Sequence, residues 1–328
     1  MDYYQYFRLD GPPFQSASPH GAVYFGSTQL EGLATLEAGL LNDLSGLTML
    51  TGEAGSGKTT LIYSFLQRDY QHVRIAYVSD PKLSFLGIMQ VVMEQLNLQP
   101  PGTTKLDYLN VLDRFLDLHG KEERIAIVVD DSHALSDDVL EELRLLSNRG
   151  QRRDRCLQLI LVSRPELAER LKQPEFRQLN QRISTRGILK PLSTAEALSY
   201  LECILMAQSS KSSAIFDPRA LNILLRASEG IPRNVNTLCK NAMMAALYAL
   251  ENKVSVGTAK KVVEEYHASA TSTQLKHIGG TGWGALWSLS FRRMRHWNRT
   301  SNRRAGQIPY SSKQPSSAAR LDRRDDHS

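Results

Sequence analysis

The chain has 328 residues, of which 41% are hydrophobic and 23% are charged, and its formal net charge is +6. This length accommodates two folded domains. The composition excludes a chain that is disordered throughout, because it matches that of ordinary globular proteins.

The positive charge is concentrated near the C-terminus. From Thr271 onward 11 basic residues face 3 acidic ones, about +8, so residues 1–270 are close to neutral. The cysteines, which are Cys156, Cys203 and Cys239, are odd in number and lack metal-ligand spacing. They favour a reducing, cytoplasmic compartment. We also expect no signal peptide in Met1 to Phe14, and no run of about 20 apolar residues that would span a membrane.

Short apolar runs alternate with amphipathic segments through the first 190 residues. The runs are Leu47 to Leu50, Val73 to Val78, Ile125 to Val129, Leu157 to Val162 and Ile188 to Leu189. Segments with helical periodicity lie between them, at Thr59 to Arg68, Phe85 to Leu96 and Asp137 to Leu146. This alternation predicts an α/β domain in which helices flank a parallel five-stranded sheet.

The strand pattern ends at Pro191. Four helical patterns follow, at about Thr194 to Gln208, Pro218 to Glu229, Pro232 to Glu251 and Val256 to Glu265. We therefore predict a nucleotide-binding α/β domain at 1–191, a small all-α lid domain at 192–268 and a basic, mostly disordered tail at 269–328.

A glycine-rich segment between the first apolar run and the first helix matches the P-loop pattern G-x-x-x-x-G-K-[ST]. Its backbone N–H groups and the helix N-terminus are suited to phosphates. Lys58 is predicted to contact the β- and γ-phosphates, and Thr59 to offer its hydroxyl to Mg²⁺. The predicted nucleotide-binding residues here are Gly52, Glu53, Ala54, Gly55, Ser56, Gly57, Lys58, Thr59 and Thr60. The alternative is a glycine-rich turn that matches the pattern by chance.

Two acidic residues follow the third apolar run, where a Walker B site belongs. Asp130 is predicted to hold Mg²⁺, directly or through water, and Asp131 to polarise the attacking water. The alternative is a loop whose acids cap the next helix.

With these motifs in place, residues 3 to about 250 resemble the AAA+ ATPases of the ExeA/GspA general secretion type, which have relatives in pilus biogenesis and exopolysaccharide export. The segments that carry the resemblance are Tyr3-Tyr4 through Phe7, Pro13-Phe14, Tyr24-Phe25-Gly26-Ser27, Asp130-Asp131-Ser132-His133-Ala134-Leu135, Ser163-Arg164-Pro165-Glu166-Leu167, Gln178-Leu179-Asn180-Gln181-Arg182-Ile183, Pro191-Leu192 and Gly230-Ile231-Pro232-Arg233.

The resemblance implies further site residues. Arg182 would be an arginine finger that reaches the γ-phosphate of a neighbouring subunit, and Arg233 would be the sensor on the lid. Either arginine could instead be a surface charge. The chain departs from the family at Asp131, where the family has Glu, so hydrolysis could be slow. It departs again at Arg164, where the family has Gln, which leaves the γ-phosphate sensor open between Ser163 and Arg164.

Two basic segments suggest partners. Arg149 to Arg155 fits a solvated loop, a nucleic-acid contact or a subunit interface. The tail contains Trp283, Trp287 and Trp297 among arginines. This composition fits a helix at an anionic membrane surface, a protein contact or disorder.

The resemblance implies an oligomeric ATPase with ATP and Mg²⁺ as cofactors, which remodels or assembles an envelope secretion, pilus or polysaccharide-export machine. It would be cytoplasmic, with peripheral attachment at the inner face of the plasma membrane if the tail binds lipid. Two rivals stay open: a DNA-binding regulator resembling the transposition ATPases of the TniB and MuB type, and a nucleotide-loaded scaffold that hydrolyses slowly.

Overall fold

The computed structural model describes residues 2–14, 23–41, 46–80, 82–119, 122–151 and 157–273. Within them lies a parallel five-stranded sheet, which confirms the predicted fold class. Its strands are β1 (Leu47–Gly52), β2 (Val73–Val78), β3 (Arg124–Val129), β4 (Leu157–Ser163) and β5 (Ile183–Leu189). The order across the sheet is β2-β3-β4-β1-β5, so β1, which leads into the glycine-rich segment, lies between β4 and β5.

The strand β5 is longer than the predicted pair Ile188 to Leu189. It starts at Ile183 and lies at the edge of the sheet, where Ser184 and Arg186 are exposed. Because only one neighbour covers an edge strand, its polar residues interrupt the apolar run from which strands are predicted.

Helices cover the sheet and its edges. In the first part of the chain they are α1 (Tyr3–Tyr6), α2 (Ser27–Leu41), α3 (Lys58–Leu66), α4 (Phe85–Leu96), α5 (Lys105–His119), α6 (Asp137–Ser147), α7 (Pro165–Arg170) and α8 (Arg177–Arg182). Three 3₁₀ turns join them, at Ser132–Ala134, Asn148–Gln151 and Pro174–Phe176. The main hydrophobic core joins strands β1 to β4 to helices α4, α5 and α6. The interior strand residues have little or no exposed surface, and each buried Leu or Ile contributes about 1.5–3 kcal/mol.

A second hydrophobic core lies among the later helices. These are α9 (Thr194–Met206), α10 (Ser212–Ile215), α11 (Pro218–Ala227), α12 (Pro232–Tyr248) and α13 (Val256–Thr273). Phe7 and Leu9 from the start of the chain are buried in this core, not in the sheet's core. By clustering of contacts the chain divides into Met1–Gly279 and Gly280–Ser328, and the second unit lies outside the described residues. The domain boundaries at 191 and 268 therefore stay a prediction.

None of the helices in the described ranges combines the length and the apolar character needed to cross a membrane. The tail with Trp283, Trp287 and Trp297 lies outside those ranges, and so do residues 152–156 of the basic loop. Within the loop, Arg149 is described and forms an ion pair with Asp113.

A glutamate in the first turn of α9 connects the later helices to the start of α2. Glu196 accepts hydrogen bonds at Oε1 from the Ser27 N–H (3.0 Å) and hydroxyl (2.7 Å). At Oε2 it accepts from the N–H (2.9 Å) and hydroxyl (2.8 Å) of Ser193, which caps the helix. The hydrogen bonds from Ser27 and then Ser193 lower the pKa of Glu196 from 4.5 to about 2.

We expect Glu196→Gln to lower the free energy of unfolding by about 1 kcal/mol at pH 7, since the variant keeps one acceptor oxygen of two and the site is partly exposed. Because the folded-state pKa is depressed, this stabilisation is complete above about pH 4.5 and is lost as the pH falls toward 2. Urea unfolding at pH 7, 5 and 3.5 measures it. The exposed Glu265→Gln is the control, and a destabilisation that does not shrink with falling pH would contradict the assignment.

Candidate nucleotide-binding site

The turn between β1 and α3 has the shape of a phosphate-binding loop. Gly55 and Gly57 have φ of 83° and 98°, in the left-handed region that glycine adopts without strain. Gly57 is the N-cap of α3, and a Cβ at Gly57 would meet no atom within 4 Å. The backbone beside the helix N-terminus therefore faces open space, where an anion would meet unpaired N–H groups and the positive end of the helix dipole.

Lys58 is the first residue of α3 and is only 7% exposed. Its Nζ donates to the carbonyl oxygens of Gly52 (2.8 Å) and Glu53 (3.0 Å). Burial lowers the pKa of the Lys58 ammonium, while the charges of Asp131 and Asp130 act in the opposite direction. The ammonium is thus held at the mouth of the loop between the loop carbonyls and two carboxylates.

Asp130 follows β3 directly and is 4% exposed. Its Oδ2 accepts from the hydroxyls of Thr59 (3.0 Å) and Tyr77 (3.2 Å), and its Oδ1 accepts from the N–H of Asp131 (2.8 Å). Burial raises the pKa of Asp130, the charge of Asp131 adds to this, and the three hydrogen bonds oppose it. A hydroxyl next to a carboxylate at the mouth of a P-loop is the oxygen donor set that suits Mg²⁺, so these residues fit the ion.

Asp131 lies beside Asp130 but has a different environment. Its side chain is 48% exposed, and its backbone adopts the left-handed conformation at φ 47° and ψ 31°. The His133 Nδ1 lies 3.8 Å from its Oδ1, within range of electrostatic interaction but too far for a hydrogen bond. Burial, followed by the charge of Arg164, lowers the pKa of His133. Asp131 is therefore an accessible carboxylate next to an imidazole that favours its neutral form.

Ser163 and Arg164 lie at the carboxyl end of β4, next to the end of β1, where Ser163 pairs with Thr51. Ser163 is fully buried, and its hydroxyl donates to the carbonyl of Arg164 (3.0 Å). The charge of Arg164 lowers the pKa of both Lys58 and His133. The charge of Arg164 thus acts on the site, while the Ser163 hydroxyl is bonded to the backbone. Which of the two senses the γ-phosphate stays a prediction.

Arg233, the second residue of α12, brings the later helices against the loop. Its N–H donates to the carbonyl of Gly55 (3.3 Å), and its charge also lowers the pKa of Lys58. A Cβ on Gly55 would lie 2.7 Å from the Cβ of Arg233, so this approach requires glycine. Arg233 thus lies beside the same loop as Lys58, and its role as a sensor stays a prediction.

Arg182 lies elsewhere. It is the last residue of α8, and Ile183 after it pairs with Leu47 at the start of β1. Gly52, where the loop begins, is five residues further along β1 than Leu47, which corresponds to a distance of about 17 Å along the strand. Within one chain the structure therefore does not bring Arg182 to the loop.

The sequence alone predicts no role for Tyr77 or His133. Tyr77 lies within an apolar run that predicts a strand, and the only signal in the sequence is that a buried tyrosine hydroxyl normally requires a partner. His133 stands out only as part of a motif. Its closeness to Asp131 depends on the 3₁₀ turn Ser132–Ala134, which apolar periodicity does not reveal.

Comparisons with known proteins identify a matching family and a relative. The family model "AAA domain" matches residues 42–171. General secretion pathway protein A of Aeromonas hydrophila is 35% identical over 257 residues, 78% of this chain and 47% of the relative. The chain thus spans about half the length of that relative.

Solved structures share the fold. The ORC2 protein of Aeropyrum pernix superposes with a TM-score of 0.57 at 18% identity, over 78% of this chain and 72% of that one. Cdc6p of Pyrobaculum aerophilum gives 0.58 at 18% identity, over 77% and 70%. The family match, the relative and the P-loop geometry together place this chain among the AAA+ P-loop proteins of the ExeA/GspA-like kind.

Proposed function

We propose that this chain binds ATP with Mg²⁺ and hydrolyses it, and that the cycle of binding and hydrolysis remodels or assembles a partner complex in the cell envelope. The observation that carries the proposal is the hydrogen bond between Thr59 Oγ1 and Asp130 Oδ2 (3.0 Å) at the mouth of a loop that also presents the buried ammonium of Lys58. A cation donor set and a phosphate-binding loop side by side are what a nucleotide triphosphate with its divalent cation requires.

Each residue of the site has a role in this proposal. The N–H groups at the start of α3 and the Lys58 ammonium bind the β- and γ-phosphates. Arg164 and Arg233 add positive charge around the transferred phosphoryl group. Asp131 accepts a hydrogen bond from the attacking water, which it can reach because it is half exposed. Mg²⁺, when bound by Thr59 and Asp130, neutralises charge that develops on the phosphate oxygens.

The proposed partner is a secretion machine of the cell envelope. This choice is supported by the likeness to a protein named for the general secretion pathway. Pilus and polysaccharide-export machines are further candidates from the motif resemblance alone. We also propose a homo-oligomer, because Arg182 lies far from the loop of its own chain and would serve a neighbour's nucleotide.

Steady-state ATP turnover measured against protein concentration tests the proposal. Turnover that requires Mg²⁺ and rises more steeply than in proportion to concentration supports an assembling ATPase. An absence of nucleotide binding in the presence of Mg²⁺ would refute the proposal at its first step. ATP and GTP are compared in parallel, since the P-loop alone does not select the base.

We expect Asp131→Glu to raise the maximal turnover several-fold, about 3–10-fold, because the added methylene brings the carboxylate closer to the attacking water. Asp131→Asn should reduce turnover about 100-fold, since the amide cannot serve as a base. Single-turnover kinetics separate the chemical step from product release. Equal rates for native Asp131 and both variants would show that this carboxylate does not position the water. Tight ATP binding with almost no turnover would favour the scaffold alternative.

A further inference from the structure

Behind the cation site lies a pair of tyrosines that the proposed function does not use. Tyr77, near the end of β2, is 3% exposed, and its hydroxyl lies 3.2 Å from Asp130 Oδ2. Tyr63 in α3 packs against it with ring centroids 5.8 Å apart and planes at 67°, and the two hydroxyls are hydrogen-bonded. A series of polar side chains therefore runs from Tyr63 in α3 through Tyr77 in β2 to Asp130, which follows β3.

The direction of these hydrogen bonds follows from counting protons. An ionised Asp130 can only accept, so the single hydroxyl proton of Tyr77 points at its Oδ2. Tyr77 then has only lone pairs left, and Tyr63 must donate to it. A tyrosine hydroxyl carries its proton at neutral pH, so Tyr77 acts as a donor to Asp130.

The carboxylate of Asp130 is held from three sides. The Asp131 N–H holds Oδ1, while Thr59 and Tyr77 both donate to Oδ2. Of these three donors, Thr59 would itself bind the cation, and the Asp131 N–H belongs to the backbone. The Tyr77 hydroxyl is therefore the side-chain donor that fixes the carboxylate from the sheet side.

We propose that Tyr77 is a positioning residue for the cation site, which orients the Asp130 carboxylate toward Thr59 and is itself oriented by Tyr63. This inference rests on the proposed nucleotide-binding function. Partners behind a metal-binding carboxylate fix its orientation, and removing such a partner costs about 10–100-fold in metal affinity or activity. The effect acts on the cation and not on the phosphate loop.

The test uses the full chain and a fluorescent ATP analogue. Its dissociation constant is measured in EDTA and across a Mg²⁺ titration, for the native chain and for Tyr77→Phe, which keeps the ring and removes the hydroxyl. In EDTA we expect affinities within about twofold of each other, because the P-loop and Lys58 are untouched. The Mg²⁺ concentration for half-maximal tightening should rise about tenfold in the variant.

Two further variants make the result specific. Tyr63→Phe should shift the Mg²⁺ dependence in the same direction by a smaller factor, about two- to threefold, because it acts through Tyr77. It also serves as the deciding variant if Tyr77→Phe does not fold. Tyr70→Phe removes a hydroxyl that bonds Glu37 (3.1 Å) away from the site, and should leave the Mg²⁺ dependence unchanged.

The outcomes separate this inference from the function on which it rests. A native chain that binds nucleotide more tightly with Mg²⁺, together with a Tyr77→Phe variant of unchanged Mg²⁺ dependence, would overturn the positioning role alone. Equal weakening in EDTA and in Mg²⁺ would also overturn it, since that is the signature of a general structural role. A native chain whose nucleotide affinity does not respond to Mg²⁺ would overturn both proposals.

Discussion

Replacing Lys58 by alanine is expected to reduce ATP turnover by about 10²–10³-fold, the range observed when a single preorganised charge donor is removed. The ammonium is buried and lies close to the charges of Asp130 and Asp131. Its loss therefore removes a contact to the phosphates and also leaves two carboxylates to repel them. Nucleotide affinity should fall together with turnover, which equilibrium binding and steady-state kinetics measure side by side.

The matched control for this variant is Lys172→Ala. Lys172 is exposed and pairs with Glu169 (2.8 Å) on the surface of the first domain, so its loss should leave turnover and affinity unchanged. If Lys58→Ala kept half of the native turnover, the glycine-rich turn would not be the phosphate site. The segment would then be a glycine-rich turn that matches the P-loop pattern by chance.

The features of the candidate site whose local structure could be predicted are those set by short-range patterns. The left-handed glycines at positions 55 and 57 and the helix that begins at Lys58 are local features, so the motif specified the loop in full. Asp130 could be placed because a buried apolar strand must end before an acidic pair. The alternation of strands and helices gave the parallel sheet for the same reason.

The parts that depend on tertiary contacts were beyond prediction from one sequence. The hydrogen bond from Tyr77 to Asp130 requires β2 and β3 to be neighbours, which the order β2-β3-β4-β1-β5 provides and no local pattern encodes. Phe7 and Leu9 pack among the later helices, although those helices begin almost 200 residues further along the chain. The hydrogen bond from the Ser163 hydroxyl to the carbonyl of Arg164 could not be predicted either, and the assignment of the γ-phosphate sensor to Ser163 or Arg164 stays a prediction.

Two hydrogen-bonded contacts link the later helices to the first part of the chain, one to the loop and one to the start of α2, and neither could be predicted from the sequence. Arg233 donates its N–H to Gly55 within the loop, while Glu196 accepts from Ser27 at the start of α2. The later helices therefore contact both the loop, at Gly55, and α2, which packs against β1.

Arg182→Ala is expected to bind ATP with native affinity and to hydrolyse it about 10³-fold more slowly, the lower end of what an arginine finger contributes. The reason is positional: Arg182 precedes Ile183, which pairs with Leu47 at the end of β1 opposite the loop, so we expect it to complete a neighbour's site and not its own. Arg177→Ala, an exposed arginine at the other end of α8, is the control and should be fully active.

Mixing the two inactive variants decides whether this arginine acts across subunits. An assembly of Lys58→Ala and Arg182→Ala subunits contains some interfaces with an intact loop from one chain and an intact arginine from the next. In a random mixture these make up about a quarter of all interfaces, so turnover should recover to about that fraction of the native rate. If each variant alone is inactive and the mixture stays inactive, although the subunits exchange, Arg182 does not act in trans. A variant that has lost ATP affinity as well would instead mean that Arg182 supports the fold around β5.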